Sequence, residues 1–228
     1  MGLPTAVLWD MDGTLVETEP YWIEAEYELV AEHGGSWSDA HALNLVGNDL
    51  LDSGRYIREH AGIDVEPADI VEQLLDKVTA RIRRAVPWRP GAVELLEDLR
   101  RHDVRCALVT MSYRRFVAPV LEALPDGTFE VVVTGDAVTM GKPHPEPYTK
   151  AAAVLGIDPT EAVAIEDSNT GVRSAEAAGC LVLAVPNHVP VLEGPGRVLR
   201  DTLEGLEAPD LLRLFNGGGG SGWRDPRS

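Results

Sequence analysis

Basic residues are scarce in this chain: 20 lysines and arginines stand against 37 aspartates and glutamates, a formal net charge of -17. That balance lacks the basic face on which nucleic-acid binding rests. It also repels an anionic substrate at long range unless local cations meet it. Nearly all of the acidic residues read as a solvated surface. Cysteine is scarcer still, and Cys106 and Cys180 both sit in apolar runs. They read as buried reduced thiols rather than as a disulfide or a metal pair. No apolar run approaches the roughly 20 residues of a membrane-spanning helix. No basic segment followed by an apolar stretch opens the chain, so no secretory signal is read. Internal repeats are absent as well. A cytoplasmic protein with no nucleic-acid partner and no membrane partner fits these absences, with a monomer as the default state.

What is present is ordinary for a globular chain: 228 residues, 44% hydrophobic and 25% charged, enough for an α/β domain with an insertion. "TAVLWD" (5–10) is an apolar run ending on Asp10 and predicts a buried strand. From Glu19 to about Val86 the pattern turns helical, opened by Pro20, with Trp22, Ala25 and Leu29 on one face. Ile70, Leu74, Val78 and Ile82 repeat that spacing in a second stretch. This block predicts a small helical subdomain inserted after the first strand. Beyond it, strands over 104–110, 129–135, 162–167 and 180–186 alternate with helices over 88–102, 116–124, 147–157 and 170–179. Such alternation implies a Rossmann-like parallel sheet with helices on both faces. The expected organisation is a core of 1–17 and 87–215, a helical cap of 18–86, and a disordered Gly-rich tail of 216–228.

Chemistry collects at the predicted carboxyl ends of the strands, where open α/β sheets bind ligands. The first strand ends in Asp10-Met11-Asp12-Gly13-Thr14, the next in Thr110, the fourth in Glu166-Asp167-Ser168. Carboxylates gathered there need a cation or shared protons. An all-oxygen donor set selects a hard ion, with Mg²⁺ the natural candidate. A calcium loop fails on spacing, because its glycine position falls on Leu15 and its terminal glutamate on Tyr21. An ordinary Asp-Gly turn explains "DMDGT" alone but not the other strand ends. Lys142, in the proline-studded "GKPHPEPY", supplies the basic group that such a cluster needs to meet phosphate.

These segments carry a resemblance. "DMDGTLVETEP" (10–20), "VTMS" (109–112), "GKPHPEPY" (141–148) and "IEDSNTGVRSAEAAG" (165–179) occur in order. Together they resemble a haloacid dehalogenase superfamily phosphohydrolase with a helical cap, of the β-phosphoglucomutase and phosphoglycolate phosphatase-like kind. The resemblance implies Mg²⁺-dependent hydrolysis of a small phosphate monoester through an aspartyl-phosphate on Asp10. It implies Asp12 as general acid and then base. Asp10, the Asp12 carbonyl, Asp167 and Glu166 would serve the metal. Thr110, Met111, Ser112 and Lys142 would serve the phosphate, with Lys142 also offsetting charge on Asp10. Glu17, Tyr21, Gly47, Asn48 and Arg114 are candidates for selecting the leaving group, in a cap that would close and exclude water.

Three other readings compete for the same residues. Dehalogenation needs neither Asp12 nor the Glu166-Asp167 pair. A sugar phosphomutase of the β-phosphoglucomutase type places a lysine and an asparagine where this chain has Tyr113 and Arg114. A metal-binding relic of the fold would not need every residue that the chemistry requires.

Overall fold

The computed structural model describes residues 2–45 and 50–216. The chain divides into two compact units. The first takes the described residues of 1–15, 88–113 and from 126 onward. Its six strands are β1 (Ala6–Trp9), β2 (Arg105–Val109), β3 (Val131–Val133), β4 (Ala162–Glu166), β5 (Leu181–Ala184) and β6 (Arg197–Leu199). They form one sheet in the order β3-β2-β1-β4-β5-β6. Every pairing is parallel.

The central strands β1 and β4 are short, apolar and buried on both faces, as the interior of a parallel sheet requires. One face packs Leu8, Ala107, Val109 and Ala164 against Tyr148, Ala151, Val172 and Ala175. Those last residues come from α7 (Glu146–Leu155) and α8 (Asn169–Ala178). Against the sheet also lie α5 (Ala92–Arg101), on β2, and α9 (Ala208–Asn216), on β6. The strand order reverses at β1, so the chain diverges between β1 and β4. That divergence opens a crevice at their carboxyl ends.

The second unit takes the described residues of 16–87 and 114–125. It holds α1 (Glu19–Glu32), α2 (Asp39–Leu43), α3 (Leu50–His60), α4 (Pro67–Arg84) and α6 (Arg114–Glu122). Ile70, Leu74, Val78 and Ile82 form the buried stripe of α4, which packs on α1, α3 and α6.

Three differences from the sequence reading have physical causes. Residues 114–125 join the helical unit rather than the core. Phe116 packs on Trp22 with ring centroids 5.3 Å apart, and Arg115 pairs with Glu72 and Asp76 of α4. The strand expected over 129–135 shrinks to Val131–Val133, because the chain turns into a 3₁₀ segment at Gly135–Ala137. β6 and α9 are additions that the sequence reading did not name, and α9 carries the helix through Asn216. The remainder of the expected tail, and Gly47 and Asn48, lie outside the described residues. Among the described residues no helix is long and apolar enough to cross a membrane.

Candidate active site

Asp10 directly follows β1, and its amide extends the ladder onto Ile165 of β4 at 3.0 Å. Thr110 follows β2 in the same way, its amide donating to the Val133 carbonyl at 2.9 Å. Glu166 ends β4, and Asp167 is the next residue. The sheet register therefore gathers side chains from three sequence segments at one edge.

Asp10, Glu166 and Asp167 each offer a carboxylate oxygen within 4.8 Å of the other two. The ammonium of Lys142 bridges Asp10 and Glu166. Its Nζ donates to Asp10 Oδ1 at 2.6 Å, to Glu166 Oε1 at 2.7 Å and to the Val109 carbonyl at 2.9 Å. Its side chain is only 6% exposed, so three protein acceptors account for its three hydrogens. Burial opposes its charge, but Asp10 and Glu166 outweigh that, and its pKa lies above the ordinary lysine value.

Glu166 is fully buried and held on both oxygens. The Tyr148 hydroxyl also donates to Oε1 at 2.7 Å, and Ser168 Oγ donates to Oε2 at 3.3 Å. Ser168 does double duty, since its Oγ accepts from the Gly171 amide at 3.1 Å and caps α8. Burial first, then the charge on Asp10, raises the Glu166 pKa even though Lys142 opposes it. The same causes, burial and then Asp10 and Glu166, push Asp167 up to about 8. One lysine thus leaves the three carboxylates short of positive charge.

Asp10 Oδ2 is buried and accepts no hydrogen bond among the described residues. An orphaned carboxylate oxygen beside two further carboxylates is a donor set suited to a hard divalent cation. The backbone at Gly13 makes room for the Asp167 carboxylate. Gly13 has φ +85°, and a Cβ placed there would lie 2.2 Å from Asp167 Oδ2.

The Asp12 carboxylate faces the Thr110–Ser112 turn. Ser112 Oγ donates to Asp12 Oδ2 at 2.6 Å, and Thr110 Oγ1 reaches the same oxygen at 3.4 Å. The Ser112 amide donates to Thr110 Oγ1 at 2.9 Å. Met111 Sδ accepts from the Lys142 amide at 3.3 Å. The residues expected on phosphate are therefore gathered at this edge. Here, though, the two hydroxyls turn to Asp12 and the lysine to Asp10 and Glu166.

The candidates for substrate selection are more scattered. Glu17 Oε1 accepts from the Glu19 amide at 3.2 Å, and the Tyr21 hydroxyl donates to the Ala85 carbonyl at 3.1 Å. Tyr21 also lines a cleft of about 540 Å³ between α1 and α4, whose Lys77 and Arg81 are paired with glutamates. Arg114 opens α6 and is exposed. Sequence reasoning overlooked Tyr148. It stands in "GKPHPEPY", but an aromatic on the apolar face of a helix reads as core.

A relative from Pseudomonas aeruginosa, phosphoglycolate phosphatase 1, is 31% identical over 218 residues, covering 90% of this chain and 79% of its own. Hexitol phosphatase B of Escherichia coli K12 is 29% identical over 216 residues, covering 91% and 96%. The crystal structure of CbbY from Rhodobacter sphaeroides in complex with phosphate superposes with a TM-score of 0.79 at 28% identity, covering 92% and 99%. Residues 7–185 match the model of the haloacid dehalogenase-like hydrolases, and the chain belongs to that family.

Proposed function

We propose that this enzyme hydrolyses the phosphate monoester of a small metabolite, with Asp10 as nucleophile and Asp12 as general acid and base. The coarse activity, phosphoric monoester hydrolysis, accords with the family and with its relatives phosphoglycolate phosphatase 1 and hexitol phosphatase B. The observation that carries the finer reading is the state of Asp10. Lys142 pins its Oδ1, while Oδ2 is buried and unbonded at the mouth of the β1/β4 crevice.

In this reading a carboxylate oxygen of Asp10 attacks phosphorus and the bond to the ester oxygen breaks. Asp12 gives its proton to the departing alkoxide, and an aspartyl-phosphate remains. Asp12 then takes a proton from water, whose oxygen attacks the same phosphorus. Inorganic phosphate leaves and Asp10 is regenerated. Lys142 offsets charge on Asp10 throughout. The Thr110 hydroxyl and the amides near Ser112 serve the phosphoryl oxygens once substrate arrives. Asp10, Asp167 and the Asp12 carbonyl would hold Mg²⁺, with Glu166 behind them. A bound Mg²⁺ screens the repulsion between an anionic nucleophile and an anionic phosphate.

The test is phosphate release from p-nitrophenyl phosphate with and without Mg²⁺, then from a panel of phosphorylated sugars, sugar alcohols and short acids. The expected result is Mg²⁺-dependent turnover that Asp10→Asn abolishes. Unchanged turnover in Asp10→Asn would sink the mechanism. With β-glucose 1-phosphate as substrate, free phosphate is expected, whereas accumulation of glucose 6-phosphate would make the enzyme a mutase instead.

A further inference from the structure

Lys142 is drawn by two carboxylates at nearly equal distance, 2.6 Å to Asp10 and 2.7 Å to Glu166. Its usefulness depends on that balance. If Glu166 pulled harder, the ammonium would leave Asp10, and the nucleophile would lose its buried counter-charge. What restrains Glu166 is the Tyr148 hydroxyl, a second donor on the same oxygen that binds the ammonium. The Tyr148 ring also lies under the ammonium, its centroid 5.2 Å from Nζ, within the range of a cation–π contact. Tyr148 is fully buried in the core that α7 makes with the sheet, so its aim is fixed by packing rather than by solvent.

We propose that Tyr148 is a positioning residue: its hydroxyl satisfies part of Glu166 and its ring supports the ammonium from below, which keeps Lys142 on Asp10. The proposal rests on the phosphatase reading for its kinetic consequence. Its geometric consequence stands alone. Without the hydroxyl, Glu166 Oε1 keeps only the ammonium, and a buried carboxylate short of donors draws its remaining partner in.

Tyr148→Phe keeps the ring and removes the hydroxyl. With p-nitrophenyl phosphate at saturating Mg²⁺, kcat should fall about tenfold while KM stays within about twofold, the mark of an interaction used in the chemical step rather than in binding. Tyr148→Leu, which lacks the ring as well, should fall further. A second readout needs no activity. Amine-directed acetylation, read by mass spectrometry, should label Lys142 more slowly in Tyr148→Phe than in wild type, because Glu166 then holds the ammonium more tightly. Lys77 and Lys150, the other two lysines, should label at unchanged rates, which separates repositioning from general loosening of the fold. Wild-type kcat in Tyr148→Phe, a loss confined to KM, or unchanged Lys142 labelling would each overturn the proposal. A wild-type enzyme inactive on every phosphate monoester would overturn the phosphatase reading instead, and the labelling would still judge Tyr148.

Discussion

Ser112 Oγ donates to Asp12 Oδ2 at 2.6 Å, which ties the serine of the second motif to the second aspartate of the first. The hydroxyl has two conceivable employments in turnover. It steadies the carboxylate of Asp12, or it leaves Asp12 to meet a phosphoryl oxygen. Ser112→Ala separates them. A hydrogen bond to a charged group contributes about 1.5–3 kcal/mol, so its loss is worth roughly tenfold or more in rate. With the hydroxyl steadying Asp12, Ser112→Ala should lower kcat about tenfold at constant KM, because Thr110 at 3.4 Å replaces it poorly. A rise in KM at constant kcat would assign it to phosphate.

The three carboxylates of the cluster predict how the fold answers to metal. Burial, Asp10 and Glu166 raise the Asp167 pKa to about 8. Its raised folded value means that the metal-free fold binds a proton that the unfolded chain releases. Its contribution is complete below the ordinary carboxylate range and is lost as pH rises toward about 8. At pH 8.5, then, the metal-free fold carries an uncompensated charge there. Mg²⁺ at about a hundred times its dissociation constant should stabilise the wild type by about 2.7 kcal/mol. Asp167→Asn should melt higher than wild type without metal and no longer respond to Mg²⁺. Thermal melts with Mg²⁺ and with a chelator check both, and a full Mg²⁺ response in Asp167→Asn would remove Asp167 from the cation site.

The sheet edge was legible because each strand is a short apolar run that stops on a polar residue. Asp10, Thr110 and Glu166 mark those stops directly. Lys142 was legible only as the charge that the cluster lacked, since its three acceptors come from distant segments. Tyr148 was not legible, because a buried tyrosine and a buried phenylalanine read alike until the hydroxyl has a partner. The place of α6 was hidden for a similar reason. Its attachment to the helical unit rests on Arg115 reaching Glu72 and Asp76, about forty residues away in the chain. β6 spans only Arg197–Leu199, each half-buried, too short for any periodicity to announce.

The helical unit carries its own titrating group. Glu26 is buried in α1, its Oε2 accepts from Trp37 Nε1 at 3.1 Å, and burial raises its pKa to about 8 despite that bond, with Glu19 adding to the rise. Because the folded value exceeds the ordinary one of 4.5, stability should fall as pH climbs from about 4.5 to about 8 and then level off. Glu26→Gln keeps an acceptor for Trp37 and removes the titration. Urea melts of both proteins between pH 5 and pH 9, with Mg²⁺ held saturating so that Asp167 stays ionised, should show Glu26→Gln gaining on wild type as pH rises. Parallel curves would mean that Glu26 does not titrate in this window.

Gly171 sits in the first turn of α8, where alanine ordinarily favours a helix by about 1 kcal/mol over glycine. Here a Cβ would meet Glu166 Oε1 at 1.9 Å and Oε2 at 2.0 Å. Glu166 cannot yield cheaply, because Lys142, Tyr148 and Ser168 hold it from the other sides. Gly171→Ala should therefore destabilise the fold despite its helix preference, by about 1–3 kcal/mol as overpacking of a buried site usually does. It should also lower kcat, since a displaced Glu166 carries Lys142 away from Asp10. Gly141→Ala is the contrast: its Cβ would meet Met111 Sδ at 2.8 Å, the end of a flexible side chain that can swing aside. Chemical melts and kcat on the two variants check the pair, and equal behaviour would show that the Glu166 cage is not rigid.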